Sequence, residues 1–290
     1  MLDQITPLVL TYNEDSNIGR VLRQLSWASD VVVVDSFSND ETLEIVKDFP
    51  QVRVYQREFD THAGQWNFGL KETAIASEWV LALDADYVLT DEFVEELQTL
   101  NPNESAQGYQ ASFRYCIEGR RIRSGIYPPV TVLYRRNAGF YQQDGHTHRL
   151  VVNGALDKLN APILHDDRKP ISRWFEAQVR YTKLEADKLL SSDPRTLGWK
   201  DRIRRWRVVA PVAVLFYCLI LRGGILDGWP GWYYAFQRLL AESMLSLYLI
   251  DHYLRRNFGI RIANFEFNQP RKNADTADKN KKEIEQLLLR

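Results

Sequence analysis

Short apolar runs recur through the first third of the chain, each ending in polar or acidic residues and each followed by a stretch with helical spacing. Ile5 to Leu10, Val31 to Val34, Val52 to Tyr55 and Trp79 to Leu83 read as strands. Continuous apolar runs of this length suit the centre of a parallel sheet covered on both faces. Between them, Ile18, Val21, Leu22 and Leu25 form one buried helical stripe, Glu41 to Asp48 a second helix and Gly64 to Ala76 a third. Strand–helix alternation predicts an α/β fold, a doubly wound and mostly parallel sheet with right-handed crossovers. From Gln107 the pattern changes. Gln107 to Ile117, Arg121 to Ser124, Val130 to Arg135, Phe140 to Gln142, Leu150 to Val152 and Ala161 to His165 read as short strands of a mixed, partly antiparallel half.

Ile171 to Leu190 has the stripe of a long amphipathic helix. Lys200 to Arg207 is strongly basic and runs into Val208 to Leu221, which is uncharged and mostly apolar. As a helix that run measures about 21 Å, short of a hydrocarbon core of about 30 Å. Trp229, Trp232, Tyr233 and Tyr234 precede another apolar helix to about Leu254. Basic residues and tryptophans flanking a run too short to span predict an interfacial or re-entrant element, with an oligomer interface as the alternative for residues 200–256. Asn268 to Lys282 is polar, and Glu283 to Leu289 has the pattern of a short terminal helix. The expected organisation is a domain over 1–190 (halves 1–106 and 107–170), a helical, membrane-proximal appendage over 191–260 and a polar tail over 261–290.

Carboxylates do not belong inside a covered sheet, so Asp84 and Asp86 are expected to emerge at the C-terminal end of their strand, the edge where open α/β sheets bind ligands. One small residue separates them, so both side chains point the same way from an extended segment. Thr11 to Glu14 and Asp35 end two other strands. Three polar clusters on one edge predict a shared crevice. No Gly-x-Gly-x-x-Gly or Gly-x-x-x-x-Gly-Lys-Ser/Thr loop follows any strand, so a bound diphosphate must be met by a cation and basic side chains. Two hard oxygen ligands suit a divalent cation that keeps waters and takes phosphate oxygens.

Charge excludes one class of partner. With 37 basic and 38 acidic residues there is no global nucleic-acid signature. Cys116 and Cys218 supply no disulfide framework and fit a reducing compartment. The start, Met1-Leu2-Asp3-Gln4, has no basic segment ahead of an apolar run, so no signal peptide is expected.

Leu10-Thr11-Tyr12-Asn13-Glu14, Val33-Val34-Asp35-Ser36 with Ser38-Asn39-Asp40, Gln65-Trp66-Asn67-Phe68-Gly69 and Leu83-Asp84-Ala85-Asp86 resemble, in order and spacing, the motifs of family 2 glycosyltransferases. More narrowly they resemble the bacterial branch that holds the lipopolysaccharide-core β-1,4-glucosyltransferases. The resemblance implies a GT-A fold and an inverting, metal-dependent transfer from a nucleotide-diphosphate sugar, UDP-linked, to a lipid-linked or cell-envelope glycan. Residues 200–256, with the two cysteines and the lack of a signal peptide, lead to the expectation of a peripheral or monotopic chain on the cytoplasmic face of the membrane. The resemblance also implies that Thr11, Asn13 and Glu14 line the nucleoside pocket, that Asp35 takes base or ribose, and that Asn67 sits beside the nucleoside. Asp84 then touches ribose or metal-bound water, and Asp86 ligates Mg²⁺ or Mn²⁺.

Asp144-Gly145-His146-Thr147-His148-Arg149 is the densest polar cluster. Relatives tend to show His followed by Glu near here, and this chain has Thr147 after His146. Asp144 is the expected base; His146 or His148 is the alternative, as base or in the metal shell. Arg149, with Arg120, Arg121, Arg123, Arg135 and Arg136, is expected to face the diphosphate or an anionic acceptor. Two rival classes remain: a sugar-nucleotide-binding scaffold that has lost transfer, and a nucleotidyltransferase, which needs a glycine-rich basic loop that Thr11 to Gly19 does not offer.

Overall fold

The computed structural model describes residues 1–102, 105–144 and 147–259. Strands β1 (Ile5–Thr11), β2 (Val31–Asp35), β3 (Val52–Gln56) and β4 (Trp79–Asp84) pair in parallel in the order β4-β1-β2-β3. Helices α1 (Ile18–Gln24), α2 (Thr42–Val46) and α3 (His62–Glu72) connect them. The strands lie where apolar runs predict them because alternate residues bury on opposite faces. Val9, Val33, Leu81 and Leu83 pack with Val21 and Leu22 of α1, while Leu8, Val32, Val34 and Val80 pack with Trp66 and Leu70 of α3. α3 begins two residues earlier than its spacing suggests, because Thr61 caps it by accepting from the Gly64 N–H at 2.9 Å. It stops before Thr73, and Ala74 at φ +52° turns the chain away.

The second half contributes β5 (Tyr87–Val88), α4 (Asp91–Thr99), β6 (Ala106–Ala111), β7 (Phe113–Ile117), β8 (Arg120–Arg121), β9 (Val130–Arg135), β10 (Gly139–Asp144), β11 (Thr147–Val152), β12 (Ala155–Lys158) and β13 (Ile163–His165). β9 inserts beside β4, antiparallel to both β4 and β6, and β12 lies parallel outside β6. The main sheet therefore runs β12-β6-β9-β4-β1-β2-β3, with four of its six pairings parallel. β5-β13-β7-β8 forms a smaller sheet, and β10 with β11 a hairpin. β13 returns the chain to the end of β4, setting His165 opposite Tyr87.

Helices α5 (Ile171–Ser191), α6 (Trp199–Arg204), α7 (Val209–Phe216) and α8 (Trp229–Phe258) follow, with a π-helical turn (Tyr217–Leu221) continuing α7 and a 3₁₀ turn (Gly224–Asp227) before α8. Residues 191–250, expected as an appendage, belong to one compact unit, Met1–Ile250. Two apolar clusters account for this. Cys218, Leu219, Tyr234 and Ala235 pack on Ile122, and Leu197, Leu245 and Leu249 pack on Ala186 and Leu189. The basic stretch is also partly turned inward. Arg204 binds Glu242 at 2.7 Å and Glu185 at 3.2 Å, both acids nearly inaccessible, with Asp201 at 3.4 Å. From Asp251 the described chain continues α8, with Arg255 and Asp251 paired at 2.7 Å. The expected tail over 261–290 and the short helix at Glu283 to Leu289 lie outside the described residues.

Candidate active site

Asp84 closes β4 and Asp86 precedes β5, with buried Ala85 between them. Register sets Leu10 beside Asp84 and Thr11 beside Asp35, so the ends of β4, β1 and β2 form a single rim carrying every predicted strand-end acid. Asp86 Oδ2 meets His165 Nε2 at 3.0 Å, and the Asp86 carbonyl accepts from the Asp166 N–H at 3.1 Å. Rings of Tyr87, Tyr115 and Tyr127 stand edge-on around His165 with centroids 4.6–5.5 Å away. Glu14 reaches the same place. Its Oε1 takes Lys169 Nζ at 2.7 Å and its Oε2 takes Asn17 Nδ2 at 2.8 Å.

The charges at this rim are imbalanced. Burial, and then the Asp86 charge, raises the Asp84 pKa above the usual carboxylate range. Burial with the Asp86 charge pushes Glu14 up to about 7 against the pull of Lys169. Burial opposes the Asp86 charge too, but His165 and Lys169 hold its pKa below the ordinary value. Burial disfavours the His165 cation, yet Asp86 and Asp84 raise its pKa. Asp86 Oδ1 is buried and has no hydrogen-bond partner among the described residues, nor has His165 Nδ1. Buried polar atoms rarely stay unpaired without a reason. An oxygen left open beside two acids of raised pKa fits a cation. No group of three or more His, Cys, Asp or Glu among the described residues is placed to hold a metal alone.

Several of the expected ligand residues also hold the loops around the rim together. Asp35 is inaccessible and spends its oxygens on the Thr11 hydroxyl (3.0 Å), the Ser38 N–H (2.9 Å), the Ser38 hydroxyl and Gln56 (3.3 Å). It folds the turn after β2. That turn holds Phe37 at φ +59° with its ring half exposed, a costly conformation for a bulky residue and one that clusters at functional sites. Tyr12 is half exposed on the neighbouring tip. Asn13, at φ +55°, gives its N–H to Ser38 Oγ and accepts from the Asn39 N–H, both at 2.8 Å, locking the two loops together. Asn67 is likewise committed: its Nδ2 donates to the Tyr141 carbonyl at 2.8 Å and its Oδ1 accepts from the Tyr141 N–H at 2.9 Å. It docks the β10–β11 hairpin onto α3.

The hairpin cluster is also dispersed. Asp144 pairs with Lys188 of α5 at 2.9 Å, tying the hairpin to the helices. His146 lies outside the described residues. His148 is not brought to the acid pair as a metal ligand; its ring sits against His62, Trp66 and Tyr141 at 5.3–5.9 Å. Burial there pushes its pKa down to about 4. Arg149 is exposed on β11.

The neutral state of His148 has a consequence for stability. Between pH 6.5 and about 4 the unfolded chain takes up a proton that the folded His148 refuses, so stability falls as pH falls through this window. The shift corresponds to about 3 kcal/mol. Thermal melts at pH 7 and pH 5 are expected to show an acid loss that His148→Phe largely removes; an unchanged loss places His148 in water.

Two residues at the rim were not singled out by sequence. His165 closes the run Ala161 to His165, which reads as a strand, and Lys169 follows three charged residues later, just before Pro170. Asp166 does act as a structural node there, accepting from Arg20 (2.8 Å), Arg168 (2.9 Å) and the Gly119 N–H (2.9 Å). A histidine at the end of a strand with a lysine four residues on was the available signal.

The family model for glycosyl transferase family 2 matches residues 8–153. The chain belongs to that family. Similar proteins include an uncharacterized glycosyltransferase of Rickettsia typhi, 29% identical over 38% of this chain and 37% of its own length. The family 2 chain thus aligns with little more than a third of that relative. It is 22% identical to the lipopolysaccharide core biosynthesis glycosyltransferase LpsC of Rhizobium meliloti, over 76% of this chain and 82% of LpsC. Among solved structures, S. aureus TarS 1-349 in complex with UDP-GlcNAc is similar at 16% identity and a TM-score of 0.45, covering 87% of this chain and 92% of that one. His165 and Lys169 lie beyond the matched residues, although they complete the rim the family motifs begin.

Proposed function

We propose that this chain transfers a sugar from a UDP-linked donor to a hydroxyl of a lipid-linked or cell-envelope glycan, with inversion at the anomeric carbon. One observation carries the reading: Glu14, Asp84 and Asp86 crowd the C-terminal rim of the parallel strands, with His165 and Lys169 against them and the Asp86 Oδ1 unpaired among the described residues. A divalent cation, Mg²⁺ or Mn²⁺, held by Asp86 with Asp84 beside it, supplies the positive charge a departing diphosphate requires. Lys169, within reach of Glu14 and Asp86, adds a second cation on the same side. The exposed faces of Tyr12 and Phe37 offer a uracil ring two aromatic surfaces at adjacent strand tips.

In the displacement, the acceptor oxygen forms a bond to C1 as the bond from C1 to the diphosphate oxygen breaks, and the acceptor proton passes to a base. Asp144 is the carboxylate we assign to that task, and its pair with Lys188 must open for it to act. Similarity to LpsC, named for lipopolysaccharide core biosynthesis, supports a glycan acceptor.

The donor half of the reading is tested by calorimetric titration of UDP and a panel of nucleotide sugars with and without Mn²⁺. Binding that requires the ion supports it. Tyr12→Ala is expected to weaken UDP by about 1–3 kcal/mol, roughly 5- to 150-fold. Equal affinity of wild type and variant removes the stacking assignment, and no nucleotide binding at all removes the function.

A further inference from the structure

The segment from Val208 to Leu221 is apolar all the way round, yet only one side of it is covered. Ala210, Pro211, Cys218 and Leu219 face the protein, while Val208, Val212, Phe216 and Ile220, at intervals of one helical turn, face solvent. Leu226 and Trp229 extend the bare surface, 73% and 83% exposed. Solvent-facing apolar stripes of this extent mark a surface that another phase or molecule covers.

The charge around the stripe says what covers it. Lys200, Arg202 and Arg222 are exposed at its two ends. From Arg202 to Ile250 the sequence has six arginines and two acids, Asp227 and Glu242. Both acids are turned inward: Asp227 accepts from the N–H groups of Arg123 (2.7 Å) and Ser124 (3.3 Å), and Glu242 is held by Arg204. Within residues 202–250 the charges left facing outward are therefore cationic, at the edges of an apolar face. A second copy of the chain on this face sets the arginines of 202–250 against one another with no outward acid of that segment between them. Anionic headgroups over acyl chains match both features. Among the described residues no helix is long and apolar enough to cross a membrane, so the element lies along the surface.

We propose that the face formed by residues 208–229 docks the chain on an anionic lipid bilayer, with the α7 segment in the plane of the interface. The surface leads to the acid rim through packed side chains. Cys218 and Tyr234 share a cluster, the Tyr234 ring lies 4.7 Å from Tyr115, and the Tyr115 ring lies 4.6 Å from His165, the partner of Asp86. The catalytic rim is thus backed by the layer that rests on the membrane. The inference goes beyond the donor chemistry and does not depend on it.

Full-length protein is mixed with vesicles of phosphatidylcholine alone or with added phosphatidylglycerol and sedimented at low and high salt. Binding to the anionic vesicles is expected to exceed binding to neutral ones by more than about tenfold and to weaken in high salt. Val212→Asp with Ile220→Asp is expected to abolish it while leaving the melting temperature and UDP affinity unchanged, since both positions are solvent-facing and outside the acid rim. Failure to sediment with either vesicle overturns the proposal. So does a concentration-dependent dimer in analytical ultracentrifugation that the double variant dissolves, which assigns the face to a second copy. UDP titration of the same samples reports separately on the donor site.

Discussion

Arg204→Met is expected to destabilise the chain by about 3–5 kcal/mol, because it strands carboxylates in a place where they cannot reach water. Glu185 and Glu242 are 8% and 7% exposed, on α5 and α8, and Arg204 from α6 is the cation between them. Arg238 approaches Glu242 only at 3.7 Å, so it compensates weakly. Removing the guanidinium takes the nearest cation from two buried acids at once. Urea titration checks this through a lowered midpoint at unchanged slope. A second variant isolates the cause: Arg204→Met combined with Glu185→Leu and Glu242→Leu is expected to recover most of the loss, since buried ion networks can be replaced by apolar side chains at little net cost. A single-variant loss below about 1 kcal/mol would be that of a surface pair and would contradict the burial.

At the acid rim, Asp86→Ala is expected to lower sugar transfer by about 10²–10³-fold, the usual cost of removing one preorganised charge-stabilising contact. The variant should lose Mn²⁺-dependent nucleotide binding altogether, measured by calorimetry, while the fold persists. The pH dependence of ion binding follows from His165. Its pKa is raised above 6.5 by Asp86 and Asp84, and a cation at Asp86 competes with that proton. Mn²⁺ affinity is expected to rise with pH through the His165 pKa and to become flatter in His165→Gln. The Asp86–His165 pair itself contributes stability that is complete below the unfolded His165 value of 6.5 and is lost as pH rises through the folded one. On the acid side it is present above the unfolded Asp86 value of 3.8 and is lost as pH falls through the depressed one. Full transfer by Asp86→Ala would end the metal reading and leave the fold reading untouched.

The parallel half was legible because its strands are covered on both faces. Val31 to Val34 and Trp79 to Leu83 have no polar position to hide, and where such runs end in acids the acids must emerge. The common rim of Glu14, Asp35, Asp84 and Asp86 followed from that alone. Roles within the rim did not. Asp35 and Asn67 have the right residue types for ligand contacts, and each also makes hydrogen bonds that only the folded loop and hairpin supply. Asp144 and His148 neighbour one another in sequence, but hairpin geometry sends one to Lys188 and the other into a ring cluster.

Sequence by itself determined the α/β architecture, the edge on which chemistry gathers and the family, since burial period and motif order are local properties of the chain. Tertiary structure alone decided that His165 and Lys169 complete that edge. They lie some eighty residues from the Asp pair and arrive only because β13 pairs back against β5. It also separated the inward arginine, Arg204, from the outward ones at positions 202 and 222. A run of like charges carries no record of which member finds a buried acid, because that depends on contacts made across α5, α6 and α8.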